Sequence, residues 1–332
     1  MRVKPKEEVM KKRRGKPLTM ILKSLGVIAI AIVLFLAIVF IVNVICNKSE
    51  QGKIKPYGQS VTVDGKNMNV LIQGKGEETV VLLPGLGTPA PGLDFKSLIE
   101  ELSPFYKVVV IEPFGYGLSD LSEKERSTEN IVSEIHEALQ QLNIDRYILM
   151  GHSIAGIYGL DYVNKYPNEV SAFVGLDTSY PTMGSMVSLK VTSSQLAIIK
   201  LGYKSGLLRF SLKLGTDLDP LATVPYDDET KEQMRMFMNT NSYNPNILNE
   251  MKNMDSNVVA AQNLTFPKNL PVMFFVDANK PEGYDQWIPE HEAQVKDSVH
   301  AKVMPMEGGH SLHRTEAKEI VENFRGFMHE IK

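Results

Sequence analysis

A serine in a tight, glycine-rich turn is the residue of this sequence whose surroundings best suit covalent chemistry. The segment Gly151-His152-Ser153-Ile154-Ala155-Gly156 directly follows the apolar run Tyr147 to Met150 and opens a helical pattern. Small neighbours allow the backbone to turn sharply from a strand into a helix, which exposes the hydroxyl at the helix N-terminus. We therefore interpret Ser153 as a candidate nucleophile. The alternative for the same position is an ordinary serine that caps a helix.

A histidine in a second glycine-rich turn could act as the base. The segment Glu307-Gly308-Gly309-His310 follows the last apolar run of the chain, and an imidazole there could accept the serine proton. His152 precedes the candidate nucleophile and cannot point the same way, so we expect it to have a packing role. His313 lies one helical turn beyond His310, where it could contact water or the segment that covers the site.

Backbone amides could stabilise the negative charge that develops during acyl transfer. The segment Leu82 to Gly87 ends an apolar run in a turn, and Ile154 follows the candidate nucleophile. We predict that the N–H groups of Leu86 and Ile154 form an oxyanion hole.

The carboxylate that would orient His310 has more than one candidate. Asp177 directly follows the apolar run Phe173 to Leu176, whereas Asp277 and Asp285 follow the run Val272 to Val276. Each position is at or beyond the end of a predicted strand, where a parallel sheet collects its functional residues. Position alone leaves these candidates open.

Alternating elements are needed to bring these turns together. Short runs rich in β-branched and aliphatic residues predict strands at Val61–Val63, Met68–Ile72, Val80–Leu83, Val108–Ile111, Tyr147–Met150, Phe173–Leu176, Val272–Val276 and Ala301–Met304. Helical patterns lie at Phe95–Leu102, Thr128–Leu142, Ala155–Tyr166, Glu290–Val295 and Ala317–Met328. This alternation predicts an α/β fold with a mostly parallel, doubly wound sheet, preceded by an antiparallel hairpin that turns at Asp64-Gly65.

Taken in order, four segments resemble those of the α/β-hydrolase superfamily from Gln59 to the C-terminus. They are Leu82 to Gly87, Ile111 to Asp120, Gly151 to Gly156 and Glu307 to His310. The resemblance implies the α/β-hydrolase fold and a serine hydrolase, similar to esterases and lipases, with Ser153 as nucleophile and His310 as base. Carboxylic esters or other small acyl compounds would be its substrates.

Two departures from the family pattern blur the subfamily. Pro84 stands where the family usually has histidine, and Glu112 stands where it usually has aspartate. Backbone N–H groups form the family's oxyanion hole, so neither side chain is expected to carry the chemistry. The turn Gly151 to Gly156 corresponds to the family's nucleophile elbow. A serine in this elbow also argues against the epoxide hydrolases and dehalogenases of this fold, which use an aspartate nucleophile.

The resemblance also ranks the candidate acids. The family's usual aspartate matches approximately Lys280, with Asp277 slightly early and Asp285 late. The segment Gly175 to Pro181 is similar to the Gly-Leu-Asp-x-x-x-Pro segment that carries the acid in pancreatic-type lipases. We therefore favour Asp177, with Asp277 as the alternate acid.

Between Pro181 and Pro267 the alternation stops, and we predict a helical lid over residues 181–267. This segment contains Met183, Met186, Met234, Met236, Met238, Met251 and Met254. Methionine-rich surfaces adapt to apolar ligands, which favours an apolar acyl chain, although methionines at helical spacing also fill ordinary cores.

A long apolar segment near the N-terminus predicts a membrane anchor. Residues 25–46 are apolar except for Gly26 and Asn43 and would span about 33 Å as a helix. The basic segment 1–24 would stay cytoplasmic, which places the linker 47–58 and the hydrolase domain 59–332 outside. A cleaved signal peptide and a lipoprotein modified at Cys46 are the alternatives, and both fit the sequence less well.

Charge and cysteine content exclude several classes of protein. The net charge is −3, and residues 1–23 hold nine Lys or Arg against two Glu, which leaves 27 basic and 37 acidic residues beyond. That acidic remainder argues against nucleic acid as a partner. One cysteine permits no intramolecular disulfide, and no spacing typical of a metal, nucleotide or flavin site is present, so we expect no cofactor.

Two other functions remain open on sequence alone. A proline-iminopeptidase-like aminopeptidase would need acidic residues in the lid to bind the substrate amine, and Asp227-Asp228-Glu229 could supply them. A hydrolase-fold sensor at the cell surface could have the same serine and histidine without steady turnover. Neither the natural substrate nor the oligomeric state follows from the sequence.

Overall fold

The computed structural model describes residues 6–183, 191–214, 221–280 and 284–331. Predictions that involve residues 1–5, 184–190, 215–220, 281–283 or 332 lie outside the described residues, among them Met186 and parts of the predicted lid.

One eight-stranded sheet organises the described part of the chain. Its strands are β1 (Gln59–Val63), β2 (Lys66–Gln73), β3 (Thr79–Leu83), β4 (Lys107–Ile111), β5 (Tyr147–His152), β6 (Val170–Leu176), β7 (Val272–Asp277) and β8 (Ala301–Met306). They follow the order β1-β2-β4-β3-β5-β6-β7-β8. β1 and β2 pair antiparallel, β2 pairs antiparallel with β4, and all later pairs are parallel. The predicted mostly parallel sheet is confirmed.

The first two strands form the predicted hairpin. Val63 pairs with Lys66 across a two-residue turn, and both turn residues have positive φ, 51° at Asp64 and 72° at Gly65. Aspartate and glycine tolerate this left-handed conformation, and a turn of this kind matches the twist of the strands that it joins.

Helices precede, follow and cover the sheet. The described helices are α1 (Lys6–Gln51), α2 (Pro91–Asp94), α3 (Lys96–Leu102), α4 (Thr128–Gln141), α5 (Ala155–Lys165), α6 (Ser193–Ser205), α7 (Leu207–Leu214), α8 (Asp228–Asn241), α9 (Pro245–Ala260), α10 (Trp287–Val295), α11 (Leu312–Thr315) and α12 (Ala317–Glu330).

Two apolar cores lie on opposite faces of the sheet. On one face Ile131 of α4 and Ile157 of α5 pack with Leu149 of β5. On the other face Leu98 of α3 and Phe324 of α12 pack with the neighbouring strand residues. Because successive side chains of a strand point to opposite faces, a sheet covered on both sides requires nearly continuous apolar strands, as β3 and β5 have.

Helices α6 to α9 form an insertion between β6 and β7, which we call the helical insertion. Its α8–α9 connection is tied to the loop that follows β4, where the Asn244 amide donates to the Gly115 carbonyl at 2.6 Å. The Asn246 amide donates to the Ser122 carbonyl at 2.8 Å in the same loop. The helical insertion therefore lies at the carboxyl edge of the sheet, where open α/β sheets bind ligands.

The N-terminal helix α1 is a single helix of 46 residues. Its segment Leu18–Gln51 is long and apolar enough to cross a membrane, and its side chains are almost entirely exposed. A core helix of this composition would be buried, whereas a signal sequence can be equally long and apolar. The helix also runs through residues 47–51, so it includes the start of the predicted linker.

Candidate active site

Ser153 occupies a strained turn between β5 and α5. Its φ is 56°, which is uncommon for a residue with a side chain. The turn is closed by small residues, since a Cβ at Gly156 would lie 2.5 Å from the Cβ of Thr178. This geometry is the one that the sequence predicted for a serine exposed at a helix N-terminus.

The structure brings His310 to Ser153. The Ser153 Oγ is 3.0 Å from His310 Nε2, and the His310 ring is half exposed. The histidine lies in the turn after β8, where Gly308 and Gly309 both have positive φ. Two glycines therefore let the backbone turn back toward the elbow without strain.

Asp177 completes this arrangement on the far side of the imidazole. Its Oδ2 is 2.6 Å from His310 Nδ1, and the residue is fully buried. A proton on Nδ1, donated to the carboxylate, leaves the lone pair of Nε2 directed at Ser153. Asp177 also has positive φ, 46°, so the acid and the serine both lie on strained turns that follow adjacent strands.

Four donors surround the Asp177 carboxylate. Oδ2 accepts from His310 and from the Lys280 ammonium, and Oδ1 accepts from Trp287 Nε1 at 2.8 Å and from the Asp277 N–H at 3.0 Å. Burial alone would raise the pKa of this carboxyl. The hydrogen bonds from His310 and Lys280 and the charge of Lys280 outweigh burial and lower the pKa to about 2.

The competing acids are placed differently. Asp277 is buried, but its carboxylate accepts from the Asn279 N–H at 3.2 Å and lies 3.7 Å from Lys280 Nζ. Asp285 is exposed. Within the described ranges, neither carboxylate is hydrogen-bonded to His310. Of the three candidates, Asp177 is the one that the structure brings to the histidine.

Two side chains that hydrogen-bond to Asp177, those of Lys280 and Trp287, were not predicted as site residues from the sequence. The Lys280 ammonium lies 4.3 Å from the centre of the Trp287 ring, and both residues hydrogen-bond to Asp177. One signal was available, because Lys280 stands where the family usually has its acid. A cation at that position suits a site whose carboxylate comes from the neighbouring strand.

The predicted oxyanion donors lie beside the elbow. A Cβ at Gly85 would lie 3.0 Å from the Cβ of Ser153, so the loop after β3 and the elbow are in close contact. Among the described residues, neither the Leu86 nor the Ile154 backbone N–H donates a hydrogen bond. Both amides are therefore available to a ligand.

A family model and a solved structure match this fold. The model, described as the alpha/beta hydrolase fold, matches residues 78–210. Epoxide hydrolase VrEH1 from Vigna radiata has a TM-score of 0.63 at 18% sequence identity, over 82% of this chain and 97% of that chain. The chain therefore has the α/β-hydrolase fold.

Curated relatives match this chain to different extents. Uncharacterized protein YbdG from Bacillus subtilis (strain 168) is 28% identical over 329 residues, which covers 96% of this chain and 100% of the relative. The 2-hydroxy-6-oxononadienedioate/2-hydroxy-6-oxononatrienedioate hydrolase from Escherichia coli is 33% identical over 104 residues. That second match spans only 30% of this chain and 36% of the relative.

A cavity of about 330 Å³ opens beside the loop that follows β3. The cavity is lined mainly by apolar side chains of the helical insertion, together with Leu86 and Gly87, and these side chains include Leu221, Met234, Met238, Tyr243, Ile247 and Met251. Three of the methionines that the sequence singled out thus face one cavity. Its position next to Leu86 makes it the candidate site for the part of a substrate that does not react.

A buried carboxylate links the helical insertion to the loop that follows β3. Glu250 of α9 accepts hydrogen bonds from Tyr158 at 2.7 Å and from Tyr116 at 2.8 Å. The Tyr116 hydroxyl in turn accepts from the Gly87 N–H at 3.2 Å. Burial raises the pKa of Glu250, although the hydrogen bonds from both tyrosines oppose the rise. The loop next to the predicted oxyanion hole is thereby positioned by α9.

His152 and His313 form a buried layer under His310. His152 Nε2 is 2.8 Å from the His310 carbonyl oxygen, and burial lowers the pKa of His152. This contact agrees with the packing role predicted for His152. His313 is fully buried and lies 2.7 Å from Asp94 Oδ2, so, of the two contacts predicted for it, the contact with water is wrong.

Two further predictions concern residues outside this cluster. Asp227 caps α8 through the Thr230 N–H at 2.7 Å, and Glu229 forms an ion pair with Lys55. These acidic residues thus have structural partners at the start of a helix. Within the described ranges, no three His, Cys, Asp or Glu side chains are grouped as a metal site.

Proposed function

We propose that this chain is a membrane-anchored serine hydrolase that cleaves carboxylic esters through an acyl-enzyme. The observation that carries the proposal is the relay from Ser153 Oγ to His310 Nε2 at 3.0 Å and from His310 Nδ1 to Asp177 Oδ2 at 2.6 Å. A serine, a histidine and a buried carboxylate at these distances are the parts that acyl transfer needs. Hydrolases among the relatives also favour this class of reaction.

The proposed reaction has two halves. In the first, His310 takes the Ser153 proton while Oγ attacks the ester carbonyl carbon, and the Leu86 and Ile154 N–H groups bind the resulting oxyanion. The tetrahedral intermediate then expels the alcohol, which receives the proton from His310. In the second half, water attacks the acyl-enzyme carbonyl while His310 takes a proton from it. The bond to Oγ then breaks, His310 returns the proton to Ser153 Oγ, and the carboxylic acid leaves. Asp177 stabilises the imidazolium in both halves.

The cavity supports an apolar acyl or alcohol group as the preferred substrate. Methionine side chains bend to fit irregular apolar shapes, and Met234, Met238 and Met251 all line the space beside Leu86. We therefore assign the role of lid to the helical insertion. VrEH1 is named an epoxide hydrolase, but the serine in the elbow of this chain favours ester cleavage over that reaction.

Turnover of p-nitrophenyl esters tests the proposal. The purified full chain in mild detergent should hydrolyse p-nitrophenyl acetate with steady turnover. Its kcat/KM for the octanoate should be higher by about tenfold or more, because each buried methylene contributes about 0.8 kcal/mol. Intact-protein mass spectrometry after treatment with a fluorophosphonate should show one adduct, on the peptide that contains Ser153. A single round of acylation without turnover would instead identify a sensor, and no reaction at all would reject the proposal.

We also propose that α1 anchors the protein with its catalytic domain outside the cell. The apolar segment is exposed along the length of a bilayer, and its basic flank favours the cytoplasm. YbdG matches over 96% of this chain, so the similarity extends into the apolar helix.

Protease protection tests the orientation. Protease added to intact bacterial spheroplasts that express the full chain should remove the domain after Asn47. A cytoplasmic marker protein should survive in the same sample, which shows that the membrane stayed closed. Protection of the domain in spheroplasts, together with its loss after lysis, would show the opposite orientation.

A further inference from the structure

Helices α6 and α7 expose large apolar side chains, and we call these two helices, residues 193–214, the α6–α7 hairpin. The exposed fraction is 70% at Ile198, 68% at Leu201 and 72% at Leu214. Leu207, Leu208 and Phe210 are also exposed. Scattered exposed leucines need no explanation, but six apolar residues within two short consecutive helices form a surface that requires a partner.

The hairpin is held against α1. Phe210 meets Phe35 edge to face, with ring centres 5.4 Å apart. The turn between α6 and α7 touches α1 closely, because a Cβ at Gly206 would lie 2.5 Å from the Cβ of Asn43. Gly206 also has a φ of 81°, so glycine is needed here both for the turn and for the close approach.

An arginine fixes the depth of this contact along α1. The Arg209 guanidinium is buried and donates to Asn43 Oδ1 at 2.9 Å, to Asn47 and to Glu50. A buried cation is costly unless it is paired, and among the described residues its hydrogen-bond partners Asn43, Asn47 and Glu50 all belong to the outer end of α1. These hydrogen bonds define the position of the hairpin along α1.

These contacts place the hairpin at the depth of the proposed membrane segment. Phe35 and Asn43 lie inside residues 25–46, and Phe35 is about 16 Å along the helix axis from Cys46. A side chain that packs on Phe35 lies at the level of hydrocarbon if residues 25–46 span the bilayer. The exposed residues of the same hairpin then face lipid and not water.

The charges of the hairpin also fit a bilayer. Residues 193–214 contain the basic residues Lys200, Lys204, Arg209 and Lys213 and no acidic residue, although the domain beyond the anchor is acidic overall. Helices with an apolar side and basic polar residues lie in the boundary between headgroups and acyl chains, and their charge complements anionic lipids.

The hairpin also borders the substrate cavity. Tyr203 of α6 meets Tyr243 with ring centres 5.5 Å apart, and Tyr243 lines the cavity beside Leu86. Lipid on one side of the hairpin and the cavity on the other side would thus be separated by a single layer of helix.

We propose that the α6–α7 hairpin lies in the outer leaflet beside α1, and that the substrate is a lipid acyl ester drawn from that leaflet. The statement about the substrate rests on the proposed esterase function, whereas the location of the hairpin does not.

Depth-dependent quenching tests the location without any use of activity. Cys46 is the single cysteine of the chain, so Cys46→Ser gives a background for one label. The full chain, with Leu201→Cys or Leu214→Cys labelled by the environment-sensitive dye NBD, is reconstituted into phosphatidylcholine and phosphatidylglycerol vesicles. The dye should emit at shorter wavelength and be quenched by spin-labelled lipid but not by aqueous cobalt.

Val299→Cys is the matched control, because Val299 is an exposed apolar residue of the catalytic domain with a similar exposed fraction, 64%. Its label should be quenched by cobalt and not by spin-labelled lipid. If the labels at Leu201 and Leu214 behave like the label at Val299, the hairpin lies in water and the proposal is overturned.

A triple variant tests the substrate. Ile198→Ser, Leu201→Ser and Leu214→Ser together should lower the hydrolysis of lipid esters in vesicles about tenfold or more, since apolar area is no longer buried in the leaflet. Hydrolysis of soluble p-nitrophenyl acetate should stay within about twofold, and Val299→Ser should affect neither. Unchanged lipid hydrolysis, or equal loss of both activities, would overturn the lipid substrate. Lipid contact without ester turnover in the wild-type chain would overturn only the esterase function.

Discussion

Replacement of Ser153 by alanine should lower kcat for p-nitrophenyl butyrate by about 10⁶ and abolish labelling by fluorophosphonates. The Ser153 hydroxyl oxygen is the atom that would form the acyl bond, and it lies 3.0 Å from His310 Nε2, the proposed base. Residual hydrolysis would come from the predicted oxyanion hole and from substrate binding, which stay intact in the variant. Steady-state assays with the purified full chain measure kcat, and mass spectrometry of the protein after fluorophosphonate treatment measures the labelling.

Ser179→Ala provides the matched control for this experiment. Ser179 is buried beside Ser153, since its backbone N–H donates to the Ser153 carbonyl at 2.9 Å. The hydrogen bonds of the relay join Ser153, His310 and Asp177 and do not include the Ser179 hydroxyl. Its removal is the same chemical change at almost the same place, and we expect kcat to fall by less than about threefold. Retained labelling of Ser153→Ala, or an equal loss in both variants, would show that Ser153 is not the nucleophile.

The positions of the serine and the histidine could be predicted because each depends on a short contiguous segment. The elbow needs only a strand, three small residues and a helix, and these are adjacent in the sequence from Tyr147 to Gly156. The turn at Gly308-Gly309 likewise carries His310 without help from distant residues. Local backbone requirements of this kind leave a direct record in residue types.

The acid could not be identified from the sequence alone because the two candidate positions, Asp177 after β6 and Asp277 at the end of β7, are neighbours in space. β6 and β7 pair in parallel, with Leu176 opposite Phe275, so Asp177 and Asp277 arrive at the same end of the sheet. What separates them is the direction of each side chain, which depends on the positive φ of Asp177. The backbone N–H of Asp277 donates to Asp177 Oδ1, so Asp277 also helps to position that carboxylate.

The contacts of the helical insertion could not be predicted from the sequence for a different reason. The cavity combines Leu86 from the loop after β3 with Met234 and Met251 from α8 and α9. The pairing of Arg209 with Asn43 joins residues 166 positions apart. Hydrophobic periodicity predicts that such helices exist, but tertiary packing decides which faces meet.

Asp177→Asn should lower kcat by about 10⁴, whereas Asp277→Asn should lower it by less than about tenfold. In the wild-type chain the carboxylate accepts the Nδ1 proton of His310 at 2.6 Å, which leaves Nε2 free to accept the proton of Ser153. An asparagine can turn its NH₂ group toward Nδ1, and the histidine then carries its proton on Nε2. That tautomer cannot act as the base, and no negative charge remains to stabilise an imidazolium.

Stability must be measured beside activity, because the same substitution removes a charge that stabilises the fold. The pKa of Asp177 is lowered from 3.8 to about 2, so its ionised form contributes about 2 kcal/mol above pH 4, and this contribution is lost as the pH falls toward 2. At neutral pH the variant should therefore unfold at lower denaturant concentration than the wild-type chain. Assays belong at temperatures where circular dichroism shows that both variants are folded.

Asp277→Asn is an informative partner because it makes the same change at a buried carboxylate one strand away. It keeps the backbone N–H that donates to Asp177, and Lys280 keeps its hydrogen bond to Asp177. The relay through His310 is therefore intact in this variant, and its kcat should stay close to the wild-type value. If Asp277→Asn lost most of its activity while Asp177→Asn stayed active, the catalytic acid would lie after β7, where most members of the family have it. The distance of 2.6 Å between His310 Nδ1 and Asp177 Oδ2 would then have no catalytic meaning.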